Sequence, residues 1–217
     1  MTGISADPYW WQAAPPQDFH IDHWPERADV VIIGGGYTGF GAAIPLARAG
    51  LDVLILERDQ IGSGASTRNG GITSGNLRLS FDDLTKKFGA EKATAFYQEA
   101  RAARADLLQF ITNEKIDCDL QQCGRLVGAL RPESLDSMKR DAERLIKLLD
   151  IDATVYDRAS LPNYIDTSRY CGGMMRDDIG GIHPAKLLAG MCQIARAASV
   201  KIATQTEVVA VSQQSAS

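Results

Sequence analysis

Asp29–Glu57 reads DVVIIGGGYTGFGAAIPLARAGLDVLILE, and each of its parts answers a separate physical demand. Val30–Ile33 is a short apolar run, the pattern of a strand buried on both faces of a parallel sheet. Gly34, Gly36 and Gly39 then form G-x-G-x-x-G. The first glycine permits a tight turn, the second lets backbone approach a pyrophosphate, and the third lets helix and strand pack closely. A helix opening at that point turns its unpaired N–H groups and positive dipole end toward phosphates. Gly50 ends the helix and Leu51–Leu56 makes a second apolar strand. Glu57 follows, 18 residues beyond Gly39, where a carboxylate accepts hydrogen bonds from a ribose. Together these parts point to an adenine dinucleotide. A glycine-rich turn in an empty α/β domain leaves Glu57 unexplained. Pro45 lies inside the expected helix, where a proline deletes one backbone bond and costs about 3 kcal/mol. A kink is expected there, a turn away from the phosphate end.

The fingerprint alone does not separate NAD from FAD. Ile61–Gly71, IGSGASTRNGG, does more: four glycines in eleven residues leave backbone N–H groups uncovered, and Ser63, Ser66 and Thr67 add short donors. Such a loop can wrap a ligand closely. A nicotinamide domain usually runs from its second strand into a plain crossover helix, so a polar loop here suggests a ligand that continues past its pyrophosphate, as FAD does. The competing reading is a flexible surface loop.

With these two segments in view, the chain resembles the FAD-dependent amine and amino-acid oxidoreductases related to D-amino-acid oxidase, glycine oxidase and sarcosine oxidase. Its likeness is strongest to the gamma-glutamylputrescine oxidoreductase-like branch, which carries a G-A-S-x-R-N-G-G loop. The aromatic arm DPYWWQAAPP, the stretch Ile116–Leu130 (IDCDLQQCGRLVGAL) and GGIHPAKLLAGMCQIARAASVKIATQTEVVAV agree with that branch. The resemblance implies an α/β fold: a Rossmann-like FAD-binding domain with a parallel sheet, plus part of an α+β substrate domain. The implied segments are an arm over 1–28, FAD-binding domain over 29–75, a substrate-side subdomain over 76–170, and a return to the FAD domain over 171–217. Members are roughly twice this long, so the chain is expected to be an amino-terminal half.

Composition agrees with a globular protein. The 217 residues are 45% hydrophobic and can bury a core. Net charge is −4 with Lys and Arg dispersed, which argues against a nucleic-acid surface. No apolar run approaches the roughly 18–20 residues of a membrane span, and the first thirty residues lack the basic start and apolar core of a secretory signal. Cys118, Cys123, Cys171 and Cys192 form no C-x-x-C pair and no metal-ligand spacing, so the reading is reduced thiols in a cytoplasmic protein without a metal.

Elsewhere the pattern is mixed α/β. The arm, with Tyr9, Trp10, Trp11 and Trp24 among four prolines, is expected to lie across the domain surface. Ser80 and Asp83 make a capping box before a short helix ending near Gly89. A helix over Glu91–Asn113 should face a core with Phe96, Ala100, Ala103, Leu107, Phe110 and Ile111. Leu126–Leu130 reads as a strand, and Pro132–Leu149 as a helix with Leu135, Met138, Leu145 and Leu148 inward. Asp150–Asp166 reads as loop-rich. His183-Pro184 opens a helix, with proline at the first turn where its missing N–H costs nothing. Strands are expected near Val200–Ala203 and Glu207–Val211.

Cofactor contacts follow from the motifs and the resemblance. Gly34, Gly36, Tyr37, Thr38 and Gly39 surround the pyrophosphate turn. Glu57 is a ribose ligand, against an exposed strand-end acid; Arg58 flanks the adenine or is a solvated charge. Ser63, Ala65, Ser66 and Thr67 are phosphate or ribityl contacts, or turn-forming residues. By resemblance Arg68, Asn69, Gly70 and Gly71 approach the flavin ring. Arg68 either offsets charge on the reduced flavin or pins the loop. Val208 matches the position whose backbone meets the adenine. His183 is a helix cap rather than a base, and no catalytic side chain is assigned beyond the flavin-proximal Arg68 and Asn69.

The cofactor the resemblance implies carries the chemistry: a hydride equivalent passes from the carbon beside an amine to flavin N5, leaving an imine that hydrolyses. Three readings compete. The first is an FAD-dependent oxidoreductase of a small amine or amino acid, represented by its amino-terminal half. The second is a non-catalytic FAD-binding or assembly subunit that needs a complementing carboxy-terminal chain, or a homo-oligomer. The third, an NAD-dependent Rossmann enzyme, is disfavoured by the 61–71 loop.

Overall fold

The structure, a computed structural model, describes residues 6–213; the ends of the arm and of the terminal stretch, 1–5 and 214–217, lie outside the described residues. In chain order a 3-10 turn (Tyr9–Gln12) precedes β1 (Val30–Ile33), α1 (Tyr37–Arg48) and β2 (Val53–Leu56). After a second 3-10 turn (Ala65–Thr67) come β3 (Ile72–Ser74), α2 (Phe81–Phe88) and α3 (Ala90–Asn113). Then follow β4 (Arg125–Ala129), α4 (Pro132–Leu149), β5 (Ala153–Asp157), β6 (Gly172–Arg176) and β7 (Ile179–Gly181). Helix α5 (Pro184–Ala197) and β8 (Lys201–Ala203) close the series.

One compact unit comprises Met1–Gly71, Glu114–Asp119 and His183–Ser217. Its sheet has the order β1-β2-β8, parallel throughout, with Val30 opposite Val53 and Leu54 opposite Lys201. Parallel neighbours require crossovers, and α1 and α5 supply them, packing against each other. The core lies between sheet and helices, where Phe40, Ala43, Ile55, Leu187, Leu188 and Ala195 are buried. This is the expected α/β arrangement with a parallel sheet. Helix α1 runs through Pro45 as a single element.

Two expectations in this unit need correction. Strand β1 is covered on one face only: Val31 and Ile33 are 51% and 62% exposed. Among the described residues it pairs only with β2, and α1 packs on the face of Ile32, leaving Val31 and Ile33 exposed on the other. The strand expected over Glu207–Val211 is also not formed; Val209 and Val211 are exposed and find no partner strand among the described residues.

The second unit comprises Ile72–Asn113 and Leu120–Ile182. It holds an antiparallel β3-β7 pair and an antiparallel β4-β6-β5 sheet. Leu84, Ala93, Tyr97, Leu149 and Ile151 form its core cluster, flanked by Leu77, Phe81 and Leu145. The Ser80 cap is present, its hydroxyl accepting from Asp83 N at 3.1 Å. The loop-rich reading of Asp150–Asp166 misses β5, whose partner β6 is distant in sequence.

Both long helices keep most of the inward face read from the sequence and depart from it at single positions. On α3 Ile111 is buried and Ala100, Leu107 and Phe110 are half-buried as expected, but Phe96 and Ala103 are exposed and Ala93 and Tyr97 are buried in their place. Arg101 lies on the inner side and donates to the Leu149 carbonyl, a partner that hydrophobicity alone excludes from a core stripe. On α4, Leu135, Met138 and Leu145 lie half-buried as expected, on one face with the buried Ala142 and Leu149, while Leu148 is 47% exposed. Asp150 takes a left-handed conformation that ends α4, its N–H donating to the Leu145 carbonyl.

Candidate functional site

The turn between β1 and α1 is built as its glycines require. Gly34 has φ +103°, a conformation that side chains rarely adopt, and its N–H is held by the Leu56 carbonyl at 2.8 Å. A side chain at Gly39 would overlap the Gly34 carbonyl oxygen, so only glycine lets α1 approach β1 this closely. Gly36 is the N-cap of α1 with no side-chain cap, and no acidic residue occupies the first turn. The positive end of a twelve-residue helix is therefore not neutralised by its own side chains.

Glu57 stands at the end of β2 facing this turn. Its Oε2 accepts from Gly35 N at 2.7 Å and its Oε1 from Asp59 N at 3.0 Å. Two backbone donors thus fix the carboxylate, and an ionised carboxylate has about four acceptor positions, leaving capacity for the hydroxyls of a ligand. Gly35 was missed by the sequence reading: a side chain there would overlap Ile61 and meet Glu57. The triple-glycine run was the available signal.

The loop over 61–71 comes to the same end of the helix. Ser66 Oγ accepts from Tyr37 N at 3.1 Å, and a methyl group on Gly36 would sit 2.9 Å from that oxygen. Ser66 thereby bonds a first-turn N–H of α1 and keeps its own O–H as a donor. Thr67 is 2% exposed; its hydroxyl donates to the Gly62 carbonyl and accepts from Trp11 Nε1 at 2.8 Å. Ala65 and Ser66 offer their carbonyls to the Asn69 amide, whose Oδ1 accepts from Gly71 N at 2.8 Å. Arg68 Nε donates to the Ser63 carbonyl at 2.8 Å, and its guanidinium lies 4.4 Å from the Trp11 ring centre. Arg68, Asn69 and Gly70 are exposed, and a methyl group added at Gly64 or Gly70 would meet only open space.

The remaining sequence candidates sit around this frame. Tyr37 donates its hydroxyl to the Pro184 carbonyl at 2.8 Å, tying α1 to α5, and burial pushes its phenol up. Thr38 is exposed on the first turn. Arg58 bonds Asp59, which pushes the guanidinium up, and both are exposed. Thr206 N donates to the Glu57 carbonyl at 2.9 Å, so the chain carrying Val208 leaves alongside the end of β2. His183 caps α5, its Nδ1 accepting from Lys186 N at 3.2 Å. The arm supplies the contacts that sequence reasoning left undefined: Trp10 and Trp11 both reach the loop. An adjacent tryptophan pair outside any core stripe was their only signal.

Chemically, this end of the unit offers an anion a helix start with no acidic residue in its first turn and the Ser66 hydroxyl bonded to it, and offers sugar hydroxyls an oriented carboxylate. These features fit the pyrophosphate and ribose of a dinucleotide. Among the described residues no group of three or more His, Cys, Asp or Glu side chains is placed to hold a metal, and no helix is long and apolar enough to cross a membrane.

Comparison with known proteins agrees with the frame. The family described as "FAD dependent oxidoreductase" (DAO) matches residues 29–217. The chain is 31% identical over 206 residues to "Probable oxidoreductase OrdL" of Rhizobium meliloti, covering 92% of this chain and 47% of that protein. It is 33% identical over 168 residues to "Gamma-glutamylputrescine oxidoreductase" of Escherichia coli, covering 75% and 38%. Glycine oxidase from Geobacillus kaustophilus superposes with a TM-score of 0.70 at 22% identity, over 85% of this chain and 48% of that one. An FAD-bound L-alpha-glycerophosphate oxidase from Mycoplasma pneumoniae gives 0.67 at 22% identity, over 88% and 48%. The chain therefore spans about half the length of these proteins or less.

Proposed function

This chain belongs to the DAO family of FAD-dependent oxidoreductases, and from that premise we propose that it carries the FAD-binding part of an enzyme oxidising the C–N bond of a small amine or amino acid. The observation that carries the reading is the Glu57 carboxylate, held to Gly35 N–H at 2.7 Å beside the start of α1, whose first turn holds no acidic residue. In this proposal the first-turn N–H of Thr38 and the Ser66 hydroxyl, itself bonded to Tyr37 N–H, face the pyrophosphate. Glu57 accepts from the adenosine ribose, and Arg58 and the backbone of Val208 border the adenine. Thr67, its hydroxyl occupied on both sides, shapes the loop, while Ser63, Ala65, Arg68, Asn69, Gly70 and Gly71 line the path toward the flavin ring. Bound FAD supplies the redox step, removal of a hydride equivalent from the carbon bearing the nitrogen to leave an imine that hydrolyses. The protein's part is to bind, orient and set the charge around the ring; Arg68 offers a cation for the negative charge of the reduced state.

The substrate class rests on the "Gamma-glutamylputrescine oxidoreductase" likeness, and the family match leaves the nicotinamide alternative without support. A second reading is favoured by the bare β1 face at Val31 and Ile33, since contiguous exposed apolar surface commonly marks a missing partner. In it the chain binds FAD but turns over an amine only with a complementing chain or a second copy. The test is FAD titration by flavin absorbance and fluorescence. The chain should bind FAD, and Glu57→Ala should weaken it by about 1–3 kcal/mol, the range for a lost charge-assisted bond. Unchanged affinity in that variant, with an intact fold, rejects the assignment.

A further inference from the structure

The arm and the 61–71 loop are joined at three levels. At the base, Gln17 and Ile61 exchange both backbone bonds at 2.9 Å. In the middle, Trp11 Nε1 donates to Thr67 Oγ1 at 2.8 Å, and that hydroxyl donates in turn to the Gly62 carbonyl. At the tip, Trp10 Nε1 donates to the Asn69 carbonyl at 2.8 Å. The Trp11 ring also lies under the Arg68 guanidinium at 4.4 Å. Trp10 meets the His183 ring edge-on at 4.9 Å, and His183 is the buried cap of α5. The turn carrying both tryptophans has no buried residue of its own. Core filling therefore does not account for two adjacent indoles, whereas both of their N–H donors end on one loop.

We propose that Trp10 and Trp11 are positioning residues: they lock the Ser63–Gly71 loop against α5 and so set how Ser66, Arg68 and Asn69 are presented to the flavin. The inference rests on the FAD reading above. A loop of this glycine content is floppy by itself, and ordering it before binding lowers the entropy that FAD binding must overcome. The cation–π stack and the Ser63 bond together hold Arg68 in one place.

Trp10→Phe and Trp11→Phe keep an aromatic ring at each position and remove the N–H donors. In the FAD-free protein, amide hydrogen exchange over 61–71 should accelerate in both. The FAD dissociation constant should rise about fivefold in each, as expected for one lost hydrogen bond of about 1 kcal/mol. Thr67→Val removes the acceptor of the same bond, so the Trp11→Phe/Thr67→Val pair should bind FAD no more weakly than the poorer single variant. Trp11→Leu, which also removes the ring beneath Arg68, should shift the midpoint potential of bound flavin to more negative values; loss of stability alone leaves that potential in place. Trp24→Phe, at an exposed arm position, should match wild type throughout. Wild-type FAD affinity in both Phe variants overturns the inference, whatever their melting temperatures. Should Trp11→Phe fail to fold, Thr67→Val carries the test from the other side of the bond. Absence of FAD binding by the wild-type protein would instead reject the cofactor reading itself.

Discussion

Gly39→Ala and Gly41→Ala place the same methyl group two residues apart on α1 and should have opposite effects. Both gain the helix propensity of alanine over glycine, about 1 kcal/mol. A Cβ at Gly41 meets nothing within 4 Å, so Gly41→Ala should be stabilised by about that amount. A Cβ at Gly39 overlaps the Gly34 carbonyl oxygen and lies 3.2 Å from its carbon and 3.5 Å from Ile32 Cγ2. Retreat is hindered on the strand side, because Gly34 is held by the Leu56 carbonyl at 2.8 Å in a conformation with φ +103°. Overpacking of this kind costs about 3 kcal/mol at the upper end of its usual range. Gly39→Ala should therefore be about 2 kcal/mol less stable than wild type, and about 3 kcal/mol less stable than Gly41→Ala. For a chain of this size the two variants should melt about 6–12 °C apart. Thermal unfolding and urea titration of the FAD-free protein measure this without any assumption about the cofactor. Equal stabilisation of both variants would show that α1 and the Gly34 turn do not pack as described.

On α4, Leu149→Ala should cost about 2–5 kcal/mol as a core truncation and Leu148→Ala less than about 0.5 kcal/mol, read from urea midpoints; equal losses would reject the register at the end of that helix. Burial pushes the Cys192 thiol up to about 11 from an ordinary 9.0, so between those values the unfolded chain holds fewer protons than the folded one. The stabilisation is complete below pH 9.0 and lost as pH rises through about 11. Cys192→Ala should make urea stability fall less steeply over that window, by on the order of 1–2 kcal/mol, and an unchanged slope would rule out a buried thiol. Cys118, also pushed up by burial, should keep part of the slope in that variant.

The dinucleotide frame was legible in the residues because its demands are local. A tight turn, a close helix–strand approach and a carboxylate at a strand end each select a residue type at a set spacing. Gly34, Gly39 and Glu57 answer them within one continuous stretch, and the structure gives the two glycines the geometry expected of them. The capping box at Ser80 and the cap at His183 were readable for the same reason: both involve residues three apart. What only the tertiary structure decided involves partners far apart in sequence. On α3 Tyr97 is buried where Phe96 was expected and Arg101 reaches a carbonyl 48 positions away, and on α4 Leu149 rather than Leu148 is the buried last-turn leucine. Strand β5 exists because β6 pairs with it, and Val209 and Val211 stay exposed because no described strand does. The duties of the loop hydroxyls diverge in the same way. Composition treats Ser66 and Thr67 alike, yet Ser66 bonds the start of α1 and Thr67 is taken by an indole from 56 positions earlier. Sequence spacing specifies what a backbone turn needs; which side chains that turn leaves free depends on whatever distant segment folds against it.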